Sequence, residues 1–323
     1  MKIALCFIIS YNHQLNQEDV WRKWIKQNKD LFNIYFHYKN YASISSPWIK
    51  KHAMRPNLVA KTSYYYVVPA YMSILNNAFQ NIENKWFCLL TESCVPIVSP
   101  ERFRRTFFEN YRASILKWDN AYWNIDLHLR ANLKMIKKEF HLCNDPWFIL
   151  SRDHVNKILY FLVKENRLYK TICEGGLANE SIFAIILKSF NEISDPNKVI
   201  NEVSTLTDWE HMSSPTSPYT FTSGSQEEVE QIEQLMKKHT YGLFLRKVSS
   251  DFPKEVLHNI IYKTDINYCT NEHDHFQMNK KIIKNSDMMC RYFVVNIGIY
   301  IIMYLYVFVN ISTFVRILDN LQM

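Results

Sequence analysis

Apolar runs of strand length alternate with amphipathic segments along the first half of the chain. Three of the apolar runs, Ile3–Ser10, Phe32–Phe36 and Trp86–Leu90, end abruptly in polar residues. Between them, Gln17–Lys29 and Tyr66–Phe79 carry apolar residues at helical spacing. This alternation is typical of βαβ units. It predicts an α/β fold with a mostly parallel central sheet.

The first apolar run, MKIALCFIIS, also has some features of a short signal peptide. Its apolar part is barely long enough for that purpose, and no small-residue cleavage site follows it. We therefore favour a first β-strand for this segment.

Serines at helix-cap positions mark several of the remaining helices. One cap is Ser99, which precedes Pro100. The other predicted elements are a strand over Pro146–Leu150, helices over Ser151–Val163, Gly175–Leu187 and Ser225–Lys238, and a Pro/Ser/Thr-rich loop over Thr205–Tyr219.

The C-terminal part differs in composition from residues 1–263, which we interpret as one domain. Residues 264–291 are polar and are typical of a linker, whereas residues 292–315 contain no charged side chain. As a helix, that last segment is long enough to cross a hydrocarbon core of about 30 Å. The alternative is a C-terminal helix that packs on the protein, because the segment contains Asn296, Asn310 and four tyrosines.

We favour the membrane anchor of these two alternatives. Four basic residues precede the segment and one follows it; they are Lys280, Lys281, Lys284, Arg291 and Arg316. The positive-inside bias then predicts a membrane-associated protein with its large domain in the cytoplasm rather than in a Golgi-type lumen.

Composition excludes several classes of protein. The net charge is +7 at pH 7, but the basic residues are scattered, and no motif of a nucleic-acid-binding fold is present. The seven cysteines include no C-x-x-C pair, which argues against a structural zinc site. With only five glycines, the chain has no dinucleotide-binding or P-loop motif. No D-x-D motif follows a strand of the first half, which points away from a metal-dependent sugar-nucleotide enzyme.

The segment KWFCLLTESCVP, Lys85–Pro96, indicates where a ligand binds. A buried strand here breaks into Thr91, Glu92 and Ser93. Ligands of open α/β sheets bind at the carboxyl ends of the strands, so Glu92 and Ser93 are candidates for a site floor. The alternative is that both residues only cap the turn that follows.

Glu180 is the leading candidate for a general base. It follows the pair Gly175–Gly176 and lies near a predicted helix start, where Gly176 lets the backbone approach a ligand closely. The alternative is that Glu180 only offsets the helix dipole in the first turn.

Arg246 and Lys247 follow the apolar run Gly242–Leu245 and could hold a diphosphate. Neighbouring residues of a strand point to opposite faces, so we expect one of the two to face the site. The alternative is an ordinary solvated pair.

Taken in order, seven blocks resemble the core-2/I-branching enzymes, glycosyltransferase family 14, including viral and plant members. The blocks are KIALCFIISYN, NIYFHYK, KWFCLLTESCVPIVS, DPWFILSRDHVNKIL, GGLANESIFAIIL, TDWEHMSSPTSPYTF and LFLRK. The resemblance covers roughly residues 1–250. It implies a GT-A-like, Rossmann-like fold without a cofactor. The implied reaction is inverting, metal-independent transfer from a UDP-sugar, typically UDP-N-acetylglucosamine, to a glycan.

The resemblance also implies roles for individual residues. Glu180 matches the catalytic base, although the Asp before that base is Asn179 here. Lys247 matches the lysine that neutralises the diphosphate. A second basic position falls near Ser217, which is not basic, so Arg246 is expected to assist on the diphosphate.

The remaining assignments concern the two substrates. Trp209 matches a tryptophan beside the acceptor, and Arg130 is assigned to the same side. An Asp that holds uridine in some members is replaced by Tyr38, which leaves His37 as a donor-side candidate with Glu92 and Ser93. The changes at Asn179 and Ser217 support an alternative: a catalytically inactive sugar-binding or scaffold protein that retains the fold. A basic nucleic-acid binder is a third, less favoured interpretation.

Overall fold

The computed structural model describes residues 1–9 and 13–263. The strands in this part of the chain are β1 Lys2–Ile8, β2 Phe32–His37, β3 Asn84–Thr91, β4 Val95–Pro96, β5 Ser114–Ile115, β6 Trp118–Asn120, β7 Leu142–Asn144, β8 Ile149–Ser151, β9 Val199–Ile200, β10 Thr205–Thr207 and β11 Phe244–Arg246. The α-helices are α1 Glu18–Gln27, α2 Pro47–His52, α3 Val68–Phe79, α4 Pro100–Asn110, α5 Arg152–Lys164, α6 Asn166–Glu174, α7 Ile182–Ser189 and α8 Gln226–Lys238. Residues 254–263 are also helical.

The central sheet has six strands in the order β2-β1-β3-β8-β5-β9. β1 is parallel to both β2 and β3, and β5 is parallel to β9. Ile3, Leu5 and Phe7 of β1 are fully buried, as are Ala4 and Cys6 between them. A strand that is apolar on both faces requires cover on both faces, which fits the predicted α/β class. The mixed α/β architecture with a mostly parallel sheet is therefore confirmed.

One strand runs against the others. β8 is antiparallel to β3 and to β5, with Cys88 opposite Ile149 and Trp86 opposite Ser151. Its amino end therefore lies at the same edge of the sheet as the carboxyl ends of β1, β2 and β3. The residues just before β8 are consequently delivered to the edge where ligands of open α/β sheets bind.

A second, three-stranded sheet has the order β10-β11-β4. β11 is parallel to β10 and antiparallel to β4, with Leu245 opposite Val95. Because β4 follows β3 directly, the second sheet brings the end of β11 beside the turn Thr91–Cys94. The indole of Trp21 on α1 fixes this turn by donating a hydrogen bond to the Cys94 carbonyl at 2.8 Å.

The block PWFILSRDH supports the fold through its polar residues. The Arg152 guanidinium lies over the Phe79 ring at 4.0 Å and donates hydrogen bonds to the carbonyls of Phe79, Asn81 and Asn84. It thereby satisfies backbone acceptors around the end of α3. The buried His154 Nδ1 lies 2.6 Å from the Ser114 hydroxyl, which joins α5 to β5. Burial lowers the pKa of His154 to about 4, so its imidazole is uncharged at pH 7.

Most predicted elements are found within a few residues of their expected ends, and Ser99, Ser151 and Ser225 cap helices as expected. The predicted helix start at Gly175 is wrong. There the glycine pair ends α6, a short 3₁₀ turn spans Ala178–Glu180, and α7 begins only at Ile182. The predicted loop at Thr205 is also wrong for its first three residues, which form β10 because they pair with the distant β11.

The predicted linker, 264–291, and the uncharged segment, 292–315, lie outside the described residues. Within residues 1–9 and 13–263, no helix combines the length and the apolar character needed to span a bilayer.

Candidate functional site

Glu180 is positioned by a backbone contact that only glycine permits. A Cβ atom at Gly175 would overlap the backbone of residues 129–132, so this segment packs directly against the glycine. The amide of Ala131 donates a hydrogen bond to the Gly176 carbonyl at 3.0 Å, and Gly176 has a φ of +61°. The glycine pair therefore packs against the backbone of residues 129–132, and this packing places Arg130 beside Glu180.

Arg130 and Glu180 form a partly buried ion pair. Arg130 Nη1 donates to Glu180 Oε2 at 3.4 Å, and the two side chains are 32% and 30% exposed. The Arg130 guanidinium also lies 5.2 Å from the centre of the Trp123 ring. Burial raises the pKa of Glu180, and Arg130 opposes this shift. Glu180 is thus partly exposed and has a raised pKa, and a carboxylate whose pKa is shifted toward neutral pH suits the role of a general base.

A second carboxylate, Asp145 in the segment before β8, interacts electrostatically with Glu180. Burial raises the pKa of Asp145 to about 6, the charge of Lys117 lowers it, and the charge of Glu180 raises it further. Neighbouring Asn144 fixes the backbone at this place. Its side-chain Nδ2 donates a hydrogen bond to the Asn179 carbonyl at 2.9 Å. Its side-chain Oδ1 accepts a hydrogen bond from the backbone amide of Ala184 on α7 at 3.1 Å.

Tyr71 on α3 interacts electrostatically with both Glu180 and the predicted cation Arg246. Its hydroxyl donates to the Pro146 carbonyl at 3.1 Å and also hydrogen-bonds with the side chain of Asn179. Burial raises the pKa of Tyr71 far above its ordinary value; the charge of Arg246 lowers it and the charge of Glu180 raises it. The two charged groups therefore lie near one buried hydroxyl.

Arg246 joins the two sheets at the edge of the site. Its Nε donates to the Thr91 hydroxyl at 3.1 Å, and its guanidinium stacks over the Trp147 ring at 3.8 Å from the ring centre. Burial lowers the pKa of Arg246, while the charge of Glu92 is among those that raise it.

Lys247 lies beyond the last residue of β11 and does not follow the alternation of a strand. Its Nζ donates to the Ser217 hydroxyl at 2.5 Å. Burial and the charge of Arg246 lower the pKa of Lys247, and the charge of Glu92 raises it. Glu92 therefore interacts electrostatically with both Arg246 and Lys247, and the expectation that only one of the two cations faces the site stays a prediction.

The model of the family described as Core-2/I-Branching enzyme matches residues 3–233. The chain belongs to the core-2/I-branching enzyme family. This is a family of glycosyltransferases, which implies a nucleotide-sugar donor and a glycan acceptor.

The other comparisons add little. No curated protein matches the chain. One similar solved structure is 4-diphosphocytidyl-2C-methyl-D-erythritol synthase from Anaerococcus prevotii, with 8% identity and a TM-score of 0.34, over 61% of this chain and 85% of that one. A likeness at that level carries no argument about function.

The other predicted residues lie in different surroundings. The His37 side chain is buried, its Nε2 has no hydrogen-bond partner among the described residues, and burial lowers its pKa to about 4. Ser93 is 8% exposed, and its carbonyl accepts a hydrogen bond from the Val248 amide. Both residues stand at the carboxyl edge of the central sheet, beneath its surface.

Trp209 is 47% exposed, in the loop that follows β10. The buried Asp208 beside it holds this loop by accepting hydrogen bonds from the amides of Glu210 and His211. The same loop continues to Ser217, which contacts Lys247. The loop that carries Trp209 therefore contacts Lys247 through Ser217, whereas Arg130 contacts Glu180.

Sequence reasoning missed Tyr71, Asn144, Asp145 and Trp147. An acidic residue and a tryptophan directly before a buried strand were the available signal, but the reversed direction of β8 was needed to interpret it.

In the described part of the chain, no His, Cys, Asp or Glu side chains are grouped in threes as metal ligands would be. A cavity of about 450 Å³ between α1 and residues 254–262 includes none of the predicted site residues.

Replacing Arg130 with Gln should change the pH dependence of glycosyl transfer. Arg130 lowers the pKa of Glu180, so its removal raises that pKa. A base acts only when it is unprotonated, and the acidic limb of the kcat/KM profile should therefore move to higher pH. Arg130→Lys keeps the positive charge and should give a profile close to that of the wild type, and the exposed Arg112→Gln serves as the control. A profile for Arg130→Gln that coincides with that of the wild type would contradict this interpretation.

Proposed function

We propose that the chain is an inverting, metal-independent glycosyltransferase that moves a sugar from a UDP-sugar to a glycan hydroxyl. UDP-N-acetylglucosamine is the donor that the family resemblance implies. The observation that carries the proposal is the arrangement around Tyr71. A carboxylate with a raised pKa, Glu180, and a cation, Arg246, lie near the same buried hydroxyl.

Inverting transfer needs one base and one means of stabilising the leaving group. Glu180 removes the proton from the acceptor hydroxyl as that oxygen attacks the anomeric carbon of the donor. The bond from this carbon to the diphosphate breaks, and Lys247 and Arg246 stabilise the departing negative charge. One cation about 4 Å from a phosphate oxygen contributes roughly 4 kcal/mol before desolvation costs, at an effective dielectric constant of about 20. Two adjacent cations can therefore supply the stabilisation that a metal ion gives other enzymes.

The other predicted residues extend this assignment. Glu92, Ser93 and His37 lie on the donor side, at the carboxyl edge of the central sheet. Trp209 and Arg130 lie on the acceptor side. The exposed indole of Trp209 offers an apolar face that suits the C–H groups of a pyranose ring.

A catalytically inactive sugar-binding protein is the second candidate. Asn179 stands where the family has an Asp, but its side chain is buried and hydrogen-bonds with Tyr71, a structural contact that an amide can make. Ser217 stands near a basic position of the family and contacts Lys247. Calorimetry with UDP and UDP-N-acetylglucosamine separates an enzyme or a nucleotide-sugar binder from a scaffold, because a scaffold should bind neither.

Glu180→Gln should reduce kcat by about 10²–10⁴-fold, the usual contribution of a general base. The variant keeps the size and most hydrogen bonds of the side chain, so the affinity for UDP-sugar should stay within about twofold of wild type. Transfer assays and calorimetry on the same preparations measure the two effects. Glu109→Gln, on the exposed face of α4, is the matched control. Transfer at the wild-type rate by Glu180→Gln would refute the assignment of the base.

Lys247→Ala should weaken UDP binding by at least about tenfold, because it removes a cation from the diphosphate. Titration calorimetry measures this change, and Lys237→Ala on α8 controls for the loss of an exposed positive charge. Both titrations and the transfer assay are repeated in EDTA, which should leave affinity and rate unchanged. Loss of transfer on chelation would contradict the metal-independent mechanism. Unchanged UDP affinity in Lys247→Ala would show that Lys247 does not contribute to diphosphate binding.

We further propose that residues 292–315 attach the protein to a membrane, with the large domain in the cytoplasm. The uncharged length of this segment and the basic residues before it support the proposal. The full chain should sediment with membranes after alkaline carbonate extraction, and protease added to intact cells should leave its large domain uncleaved. Recovery of the full chain with the soluble proteins would contradict this proposal.

A further inference from the structure

Three consecutive tyrosines, Tyr64, Tyr65 and Tyr66, stand on the surface next to the candidate site. Their exposed fractions are 63%, 55% and 48%. The Tyr66 amide donates to the Ser63 carbonyl at 3.0 Å and closes a tight turn around them. The rings of Tyr64 and Tyr65 meet edge to face, with centres 5.0 Å apart. A group of aromatic rings this exposed adds little to the hydrophobic core, and such patches are typical of binding surfaces.

The backbone places this tyrosine turn, residues 63–66, between the two ends of the site. The Tyr65 carbonyl accepts a hydrogen bond from the Leu177 amide at 2.7 Å, in the segment that leads to Glu180. A Cβ atom at Gly176 would lie 3.6 Å from Tyr65 Cβ, so the turn rests on the glycine pair. At the other end, Tyr64 interacts electrostatically with Arg246. The tyrosine turn therefore contacts the segment that leads to the proposed base and interacts electrostatically with the proposed phosphate-binding cation.

The exposure of the rings indicates which substrate they contact. Glu180 and Arg246 are partly buried, so the reacting atoms lie deeper than the tyrosine rings. A molecule that reaches Glu180 and also covers these rings must extend outward from the site. The transferred sugar and the diphosphate belong at the inner end, which leaves the outer part of the acceptor for the rings. Tyrosine suits a sugar because it offers an apolar face for C–H groups and a hydroxyl for hydrogen bonds.

We propose that Tyr64, Tyr65 and Tyr66 form a binding platform for the sugar units of the glycan acceptor that lie beyond the one that reacts. This inference rests on the proposed function, because it takes the acceptor hydroxyl to lie at Glu180. The three tyrosines thus contact one segment of the acceptor, and the aromatic face of Trp209 contacts another.

Binding of the full-length protein to an array of defined glycans, from monosaccharides to hexasaccharides, tests the proposal in the presence of UDP. The wild type should bind oligosaccharides at least about tenfold more tightly than their terminal monosaccharides. Each Tyr→Ala change should weaken oligosaccharide binding by roughly two- to tenfold, and the triple change by more than tenfold. The corresponding Tyr→Phe changes should retain most of the affinity, since they keep the ring faces.

Tyr160→Ala, at an exposed tyrosine of α5, is the matched control and should bind like the wild type. Thermal unfolding of each variant should show an unchanged midpoint, because the rings lie on the surface. Oligosaccharide binding by the triple variant at wild-type strength, or equal binding of mono- and oligosaccharides by the wild type, would overturn the proposal. So would the absence of glycan binding. Calorimetry with UDP-sugars tests the donor side separately, so loss of array binding on Tyr→Ala without any UDP-sugar binding would support the platform and reject the enzyme.

Discussion

The guanidinium of Arg246 holds together the part of the molecule on which the candidate site depends. It hydrogen-bonds to Thr91 at the end of β3, stacks on Trp147 just before β8, and stands at the end of β11. Three strands from two sheets therefore meet at one cation. A partly buried cation carries a large desolvation cost, which the polar and aromatic contacts of Arg246 offset in part. An anionic ligand such as a diphosphate would complete that compensation.

The candidate site contains two groups of charged side chains with opposite net sign. Arg246 and Lys247 lie on one side with Glu92, while Asp145 and Glu180 lie on the other with Arg130. Burial raises the pKa of both Asp145 and Glu180, and the charge of Glu180 raises the pKa of Asp145 further. Tyr71 interacts electrostatically with Arg246 and Glu180, one from each group, and its hydroxyl donates a hydrogen bond to the Pro146 carbonyl. A donor with a negative diphosphate and a neutral acceptor hydroxyl match this polarity.

Several residues of the family blocks stabilise the fold or position other residues of the candidate site. Arg152 satisfies carbonyl groups near the end of α3, and His154 joins α5 to β5 through Ser114. Gly175 is needed because the backbone of residues 129–132 occupies the place of a side chain. Asn179 is a further example, since its side chain is buried and hydrogen-bonds with Tyr71.

Local patterns in the sequence were sufficient for the α/β class, for most helix and strand positions and for the serine caps, because periodicity and capping depend on neighbouring residues. The family blocks identified a glycosyltransferase, and the break after β3 and the dipeptide Arg246–Lys247 indicated candidate donor contacts. Only the tertiary structure decided that β8 runs in the opposite direction, which delivers Asp145 and Trp147 to the site. Only the tertiary structure could show that Gly175 pairs Arg130 with Glu180 and that the tyrosine turn borders them. Strand direction and contacts between segments separated by 50 or more residues arise from packing of the whole chain, which no local pattern encodes.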